Sequence, residues 1–146
     1  MDYAGAMAST AGYSGTSLVR KLGFKPGWRV LLVDAPDHYL DLLGGAEDLS
    51  FVDGRGEDAS PADAAHVFLH HAGDAAGQSR AAIARLRAGG LLWLSWTKKS
   101  SPIHLGLTED MLRDAVLPLG WVDVKVCAVD TDWSGLKFLK RKEKSG

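Results

Sequence analysis

Apolar residues along this chain fall in short blocks separated by glycine, proline and charged residues, and the blocks alternate between two periods. Residues 28–33 (WRVLLV) and 91–96 (LLWLSW) are almost continuously apolar, as strands covered on both faces must be. Residues 65–71 form a third such block. Residues 49–52 make a weaker strand closed by the Asp53-Gly54 turn signal. Between these blocks the spacing turns helical. Leu18, Val19 and Leu22 share one side of a short helix with Thr16 as its cap and Gly23 beyond its end. Residues 39–43 predict a helical turn. Asp74 offers a cap for a helix running to about residue 88, with Ile83 and Leu86 inward, Arg80, Arg85 and Arg87 solvated, and Gly89-Gly90 as its stop. Thr108 caps a further helix that carries Glu109 and Asp110 in its first turn, matched to the helix dipole, and that ends at Pro118 and Gly120. Residues 121–129 and 136–140 close the pattern as an antiparallel hairpin.

Strands that alternate with helices predict right-handed βαβ units. The expected fold is α/β, a small three-layer Rossmann-like sandwich. Its sheet is mostly parallel, of about six strands, with an antiparallel C-terminal hairpin strand read as the edge. Residues 15–141 are expected to form a single domain. Residues 1–14, rich in Gly, Ala and Ser without periodicity, are expected to be a flexible segment, and residues 142–146 a frayed tail.

Composition narrows the class. Of 146 residues, 46% are hydrophobic and 24% charged, which excludes wholesale disorder. The net charge of -1 removes the global electrostatic case for nucleic acid or an anionic membrane as partner. The single cysteine, Cys127, forbids an intrachain disulfide and any CxxC motif. The N-terminus lacks the basic start and apolar core of a secretory signal, and no apolar run is long enough to span a bilayer. A cytoplasmic protein is therefore expected.

The order helix, Gly89-Gly90, strand 91–96, loop, helix from Thr108, Gly120 and closing hairpin resembles the C-terminal half of class I S-adenosylmethionine-dependent methyltransferases, whose last strand inserts antiparallel. As a pattern of elements this resemblance spans residues 29–140. It departs from the family at the cofactor loop. There the family's first strand ends in glycines, because only glycine lets the backbone approach the cofactor closely. Here the chain reads Val33-Asp34-Ala35-Pro36-Asp37-His38. Asp53 stands where the family places an acid for the ribose hydroxyls, although an Asp before Gly also serves simply as a turn former.

A second resemblance rests on individual residues: Gly12-Tyr13-Ser14-Gly15-Thr16, Lys21-Leu22-Gly23, Trp96-x-Lys98-Lys99 and the segment from Lys125 through Trp133-Ser134-Gly135 to Phe138. Together they resemble a family of small bacterial proteins known as domain of unknown function 3052, over residues 12–141. Ser17 stands where a proline is usual. That resemblance implies an uncharacterised bacterial protein and no particular activity.

Open parallel sheets bind ligands beyond the C-terminal ends of their strands. That rim collects Asp34, Asp37 and His38 from the first strand, His70 and His71 from the third, and Trp96, Lys98 and Lys99 from the fourth. Carboxylates, imidazoles and two ammonium groups there suit a polar ligand with an anionic group, with Trp96 stacking on a ring. The plainer alternative is that strand ends are exposed and therefore polar. The candidate ligand-binding residues are Asp34, Asp37, His38, His71, Trp96, Lys98 and Lys99.

Other chemistries find less support. On the strand 65–71, His66 and His70 share a face and His71 opposes them, with no HExxH arrangement or Cys pair to complete a metal site. No metal is expected. Cys127 lies mid-strand, where a thiol behaves as a small hydrophobe. GxSxG and P-loop motifs are absent. Ser14-Gly15-Thr16 reads as a helix cap before it reads as a phosphate loop. Trp133 in its polar loop is expected to pack back on the sheet. The function that follows is a non-catalytic binding or regulatory module on a degenerate methyltransferase-like scaffold, with no catalytic residue and no cofactor. Its expected contact is a small anionic ligand or a protein partner; nucleic acid and membrane are not expected. The alternative is an enzyme binding a nucleotide or anionic ligand on the rim, with His38 or His71 as general base and Lys98 or Lys99 holding the anion.

Overall fold

A computed structural model describes residues 17–44, 48–57 and 60–142 of the chain. The proposed flexible segment 1–14, the Thr16 cap and most of the proposed tail lie outside the described residues. Among the described residues, twelve elements follow one another. Helix α1 (Leu18–Leu22) leads into β1 (Arg29–Val33), α2 (Tyr39–Leu43), β2 (Ser50–Asp53) and β3 (Ala62–Phe68). Helix α3 (Ala75–Ile83), β4 (Leu86–Thr97), α4 (Glu109–Val116), β5 (Trp121–Ala128) and β6 (Trp133–Lys140) complete the regular structure, with short 3-10 turns before α3 and after α4.

The six strands form one sheet in the order β2-β1-β3-β4-β6-β5. Pairs β1/β2, β1/β3 and β3/β4 are parallel, and β6 runs antiparallel to both neighbours. The last strand thus inserts between β4 and β5, which corrects its expected place at the edge: β5 is the edge strand on that side and β2 on the other. Seven residues of β4, from Leu91 to Thr97, face partners on β6, so the insertion buries both long apolar strands.

Side chains alternate across the sheet and build two apolar layers. Leu31, Val33, Val67, Leu92, Leu94, Leu136 and Phe138 face α3 and α4, where Ala82, Leu112 and Val116 meet them. Val30, Ala64, Phe68 and Trp93 face α1 and α2 on the other side, against Leu18, Leu22, Tyr39 and Leu43. This is the three-layer α/β sandwich expected from the pattern. Trp93 is fully buried and satisfies its indole N–H on the Leu22 carbonyl at 2.8 Å. Its ring lies against Gly135, where a Cβ would come within 3.0 Å of it.

Several boundaries move for identifiable reasons. Ser17 is the residue that caps α1, accepting the Arg20 amide at 3.4 Å. Strand β3 begins three residues earlier than expected, since its small Ala62, Ala64 and Ala65 fit a doubly covered strand, and it ends at Phe68 rather than at His71, so His70 and His71 lie beyond its end. Helix α3 stops at Ile83, and Gly89-Gly90 does not end it. Those glycines belong to β4, where the β3 partner shifts from Leu86 to Leu91 across a bulge and Gly89 has a positive φ of 81°. Arg85 is half-buried rather than solvated. Trp133 opens β6 and packs back on the sheet against Phe68, at 5.0 Å between ring centroids. No helix among the described residues is long and apolar enough to cross a membrane.

Candidate functional site

The chain turns to one side of β1 to make β2 and to the other to make β3, so the strand order reverses between β1 and β3. Above that reversal, at the C-terminal strand ends, lies a cleft of about 530 Å³ bordered by Asp34, Arg55, His70, His71, Asp74 and Gln78. This is where open α/β sheets hold ligands.

The loop after β1 is set by an unusual residue. Asp34 has φ of 56°, the left-handed region that glycine enters freely and that costs other residues steric strain. Arg55 holds it there. Its Nε donates to Asp34 Oδ1 at 2.9 Å and its Nη2 to Oδ2 at 2.7 Å, a two-pronged bridge from the β2 tip to the β1 tip. That hydrogen-bonded guanidinium holds the Asp34 carboxyl below its usual range. Gly54 lets the β2 turn come this close. A Cβ there would lie 2.5 Å from Val33 Cγ2, and the Gly54 amide donates to the Leu32 carbonyl at 2.6 Å. Asp53 Oδ1 accepts the Arg55 amide at 2.9 Å, so the acid at the end of β2 acts as a turn former.

Two further clefts lie along the same rim. One, of about 490 Å³, is lined by Leu18, Lys21, His38, Asp130 and Thr131. Here His38 Nε2 lies 3.0 Å from Asp130 Oδ2. Burial raises the Asp130 carboxyl, but the bonds from His38 and from the Asp132 and Trp133 amides outweigh it and hold the group below its usual value. The other, of about 460 Å³, is bordered by Trp96, Lys98 and Lys99 together with Glu109, Asp110 and Arg113.

The candidate residues are therefore divided. Asp34 and His71 share the switch-point cleft, His38 faces the second, and Trp96, Lys98 and Lys99 border the third. Asp37 is exposed and lines none of the three. Trp96 is 7% exposed and belongs to the core under α4, because β4 runs on to Thr97 and carries it inside the sheet. Its expected stacking face is thus covered. The two lysines share their cleft with two carboxylates, so it is not a purely cationic surface.

His66 is not a rim residue. It is fully buried between Tyr39, whose hydroxyl lies 2.7 Å from Nδ1, and Ser95, whose hydroxyl lies 2.7 Å from Nε2. Burial lowers its pKa to about 3. His70 packs edge-on against Trp133. Among the described residues, no three His, Cys, Asp or Glu side chains gather to hold a metal ion. The Cys127 thiol is half-buried and pushed up by that burial.

Sequence reading misses Arg55. A signal for it exists, since an arginine directly after the Asp53-Gly54 turn at one parallel strand tip stands beside the tip of the neighbouring strand.

No family model and no curated protein matches the chain. Solved structures do match it in fold. A SAM-dependent methyltransferase from Aquifex aeolicus superposes with a TM-score of 0.57 at 14% identity, covering 84% of this chain and 87% of that one. The magnesium protoporphyrin IX methyltransferase of Synechocystis PCC 6803, with bound SAM, gives 0.55 at 13% identity over 84% and 76%. The Burkholderia thailandensis 1,6-didemethyltoxoflavin-N1-methyltransferase, with bound 1,6-didemethyltoxoflavin and S-adenosylhomocysteine, gives 0.54 at 18% over 86% and 76%. The chain thus has the class I methyltransferase-like, Rossmann-like fold. At these identities the likeness concerns the fold alone.

Proposed function

We propose that this chain is a non-catalytic, cytoplasmic binding or regulatory module on a methyltransferase-like scaffold, related to the domain of unknown function 3052 family, with its ligand contacts on the C-terminal rim of the sheet. The observation that carries this reading is the Asp34–Arg55 bridge. A cofactor with an adenosyl group needs glycine backbone and free amide donors after β1. In their place stand a carboxylate in a strained backbone position, a side-chain clamp across the strand tips, and Pro36, which has no amide N–H. Asp53 spends one carboxylate oxygen on its own turn. The residues present therefore do not fit S-adenosylmethionine and support no methyl-transfer step.

The test is calorimetric titration of the full chain with S-adenosylmethionine and S-adenosylhomocysteine, beside a thermal melt. The reading predicts no heat and no shift. A ligand present at about 100 times its Kd would add about 2.7 kcal/mol, readily detected, and would refute the reading.

A second reading, an enzyme acting on a nucleotide or anionic substrate at the rim, is favoured by the His38–Asp130 pair. A carboxylate with only 12% of its side chain exposed orients an imidazole beside an open cleft, the arrangement of a general base. A melting shift with a mononucleotide that vanishes in His38→Gln supports this second reading, and one that survives the change supports the first.

A further inference from the structure

Beneath the switch-point cleft is a smaller chamber of about 100 Å³ between α3 and the tips of β1 and β2, several times the space one water needs. Arg55 and Gln78 border both spaces. Its walls are the apolar side chains of Leu31, Val33 and Ala82, and Arg85 reaches into it.

Arg85 is incompletely satisfied there. Its Nη1 donates to the Gly54 carbonyl at 3.1 Å, while its buried Nε and Nη2 find no acceptor among the described residues. Those two nitrogens are the parallel prongs of a guanidinium. They are the same pair with which Arg55, a few residues beyond the neighbouring strand tip, grips the two oxygens of Asp34. The Gln78 amide oxygen is also buried without a partner. Two unsatisfied charged donors and one unsatisfied acceptor within a single buried wall are costly, and proteins seldom keep them without use. An oxyanion resolves the fork, two of its oxygens accepting from Nε and Nη2; a phosphate resolves both, since its protonated third oxygen also donates to Gln78.

We infer that the Arg85 fork is an oxyanion-binding site that takes the phosphate or carboxylate of a small molecule whose body lies in the switch-point cleft between Asp34, His70 and His71. The inference rests on the reading of the rim as a ligand-binding surface and adds the class of ligand. Among the described residues that border this chamber, Arg55 is neutralised by Asp34, whereas Arg85 has no carboxylate partner.

The test uses the full chain in three titrations followed by NMR of the arginine Nε–H groups: with inorganic phosphate, with ribose 5-phosphate, which carries no purine, and with acetate, each against sodium chloride at equal ionic strength. The Arg85 Nε–H resonance should move saturably with a phosphate-bearing probe or with acetate, and the arm that moves it identifies the oxyanion. Arg85→Lys keeps the charge and loses the planar fork, so it should weaken that binding at least about tenfold. No movement in any arm, movement that chloride reproduces, or unchanged affinity in Arg85→Lys each overturns the inference. If the lysine variant fails to fold, the resonance of the unaltered chain still decides. Binding of S-adenosylmethionine overturns the functional reading instead, whatever Arg85 does, so the two failures are told apart.

Discussion

Acidifying the protein from about pH 7.5 to about pH 4.5 should remove stability through one side chain, His66. Its imidazole has no exposed surface and is bonded on both nitrogens to hydroxyls, Tyr39 on one side and Ser95 on the other. Desolvation lowers its pKa from 6.5 to about 3, so the folded state keeps it neutral. The unfolded chain binds a proton below pH 6.5 and the folded chain does not. The group's contribution is thus complete above 6.5 and is lost as pH falls toward 3. The slope in that window is about 1.4 kcal/mol per pH unit, which amounts to about 2.5 kcal/mol by about pH 4.5. The carboxylates with lowered pKa values, Asp34, Asp63, Asp123 and Asp130, lose their contributions only below their ordinary value of 3.8, outside this range. Urea unfolding across the pH range, for the parent and for His66→Gln, isolates the effect, since the exposed histidines are common to both. The parent should lose about 2.5 kcal/mol more than the variant between the two pH limits. Parallel stability curves would refute the assignment of His66 as the buried neutral group.

Two further changes probe the packing that holds the rim in place. Gly135→Ala forces a methyl group against the rigid Trp93 ring and, close by, Val129, and should cost about 1–3 kcal/mol in urea unfolding; a neutral result would mean that Trp93 has room to move. Arg113 joins α4 to β5, bonding Asp123 at 2.8 Å as well as Asp110 and Glu109 on its own helix. Arg113→Met should cost about 1–2 kcal/mol at low salt, and the difference should shrink as salt is raised. A salt-independent loss would make the packing of its aliphatic stem the cause.

The sheet is legible in the sequence where physics is local. The unbroken apolar runs around Val30 and Leu92 mark doubly covered strands, and Thr108 with Glu109 and Asp110 marks the start of α4. Boundaries escape where pairing decides. Ala62 and Asp63 carry no strand signature of their own, yet Ala62 pairs with Leu86 and Asp63 takes the Arg29 amide and the Arg87 guanidinium. Gly89-Gly90 reads as a helix stop in sequence, and only the β3–β4 register reveals a bulge. The rim itself is legible, but not how it divides. Trp96 reads as a surface residue when its strand is ended one residue early, and His38 reads as a neighbour of Asp34 although its partner, Asp130, lies 92 positions away. Arg85 looks like an ordinary solvated cation, because a charge reveals its role only through its surroundings, whereas Arg55 is marked only by its place directly after the Asp53-Gly54 turn.

Crystals of the chain grown with saturating S-adenosylhomocysteine would show whether the bend after β1 excludes an adenosyl cofactor. The Asp34–Arg55 bridge should stay intact, with no nucleoside against Ala35. A purine and ribose seated over β1 and β2, with Arg55 swung away from Asp34, would contradict that exclusion.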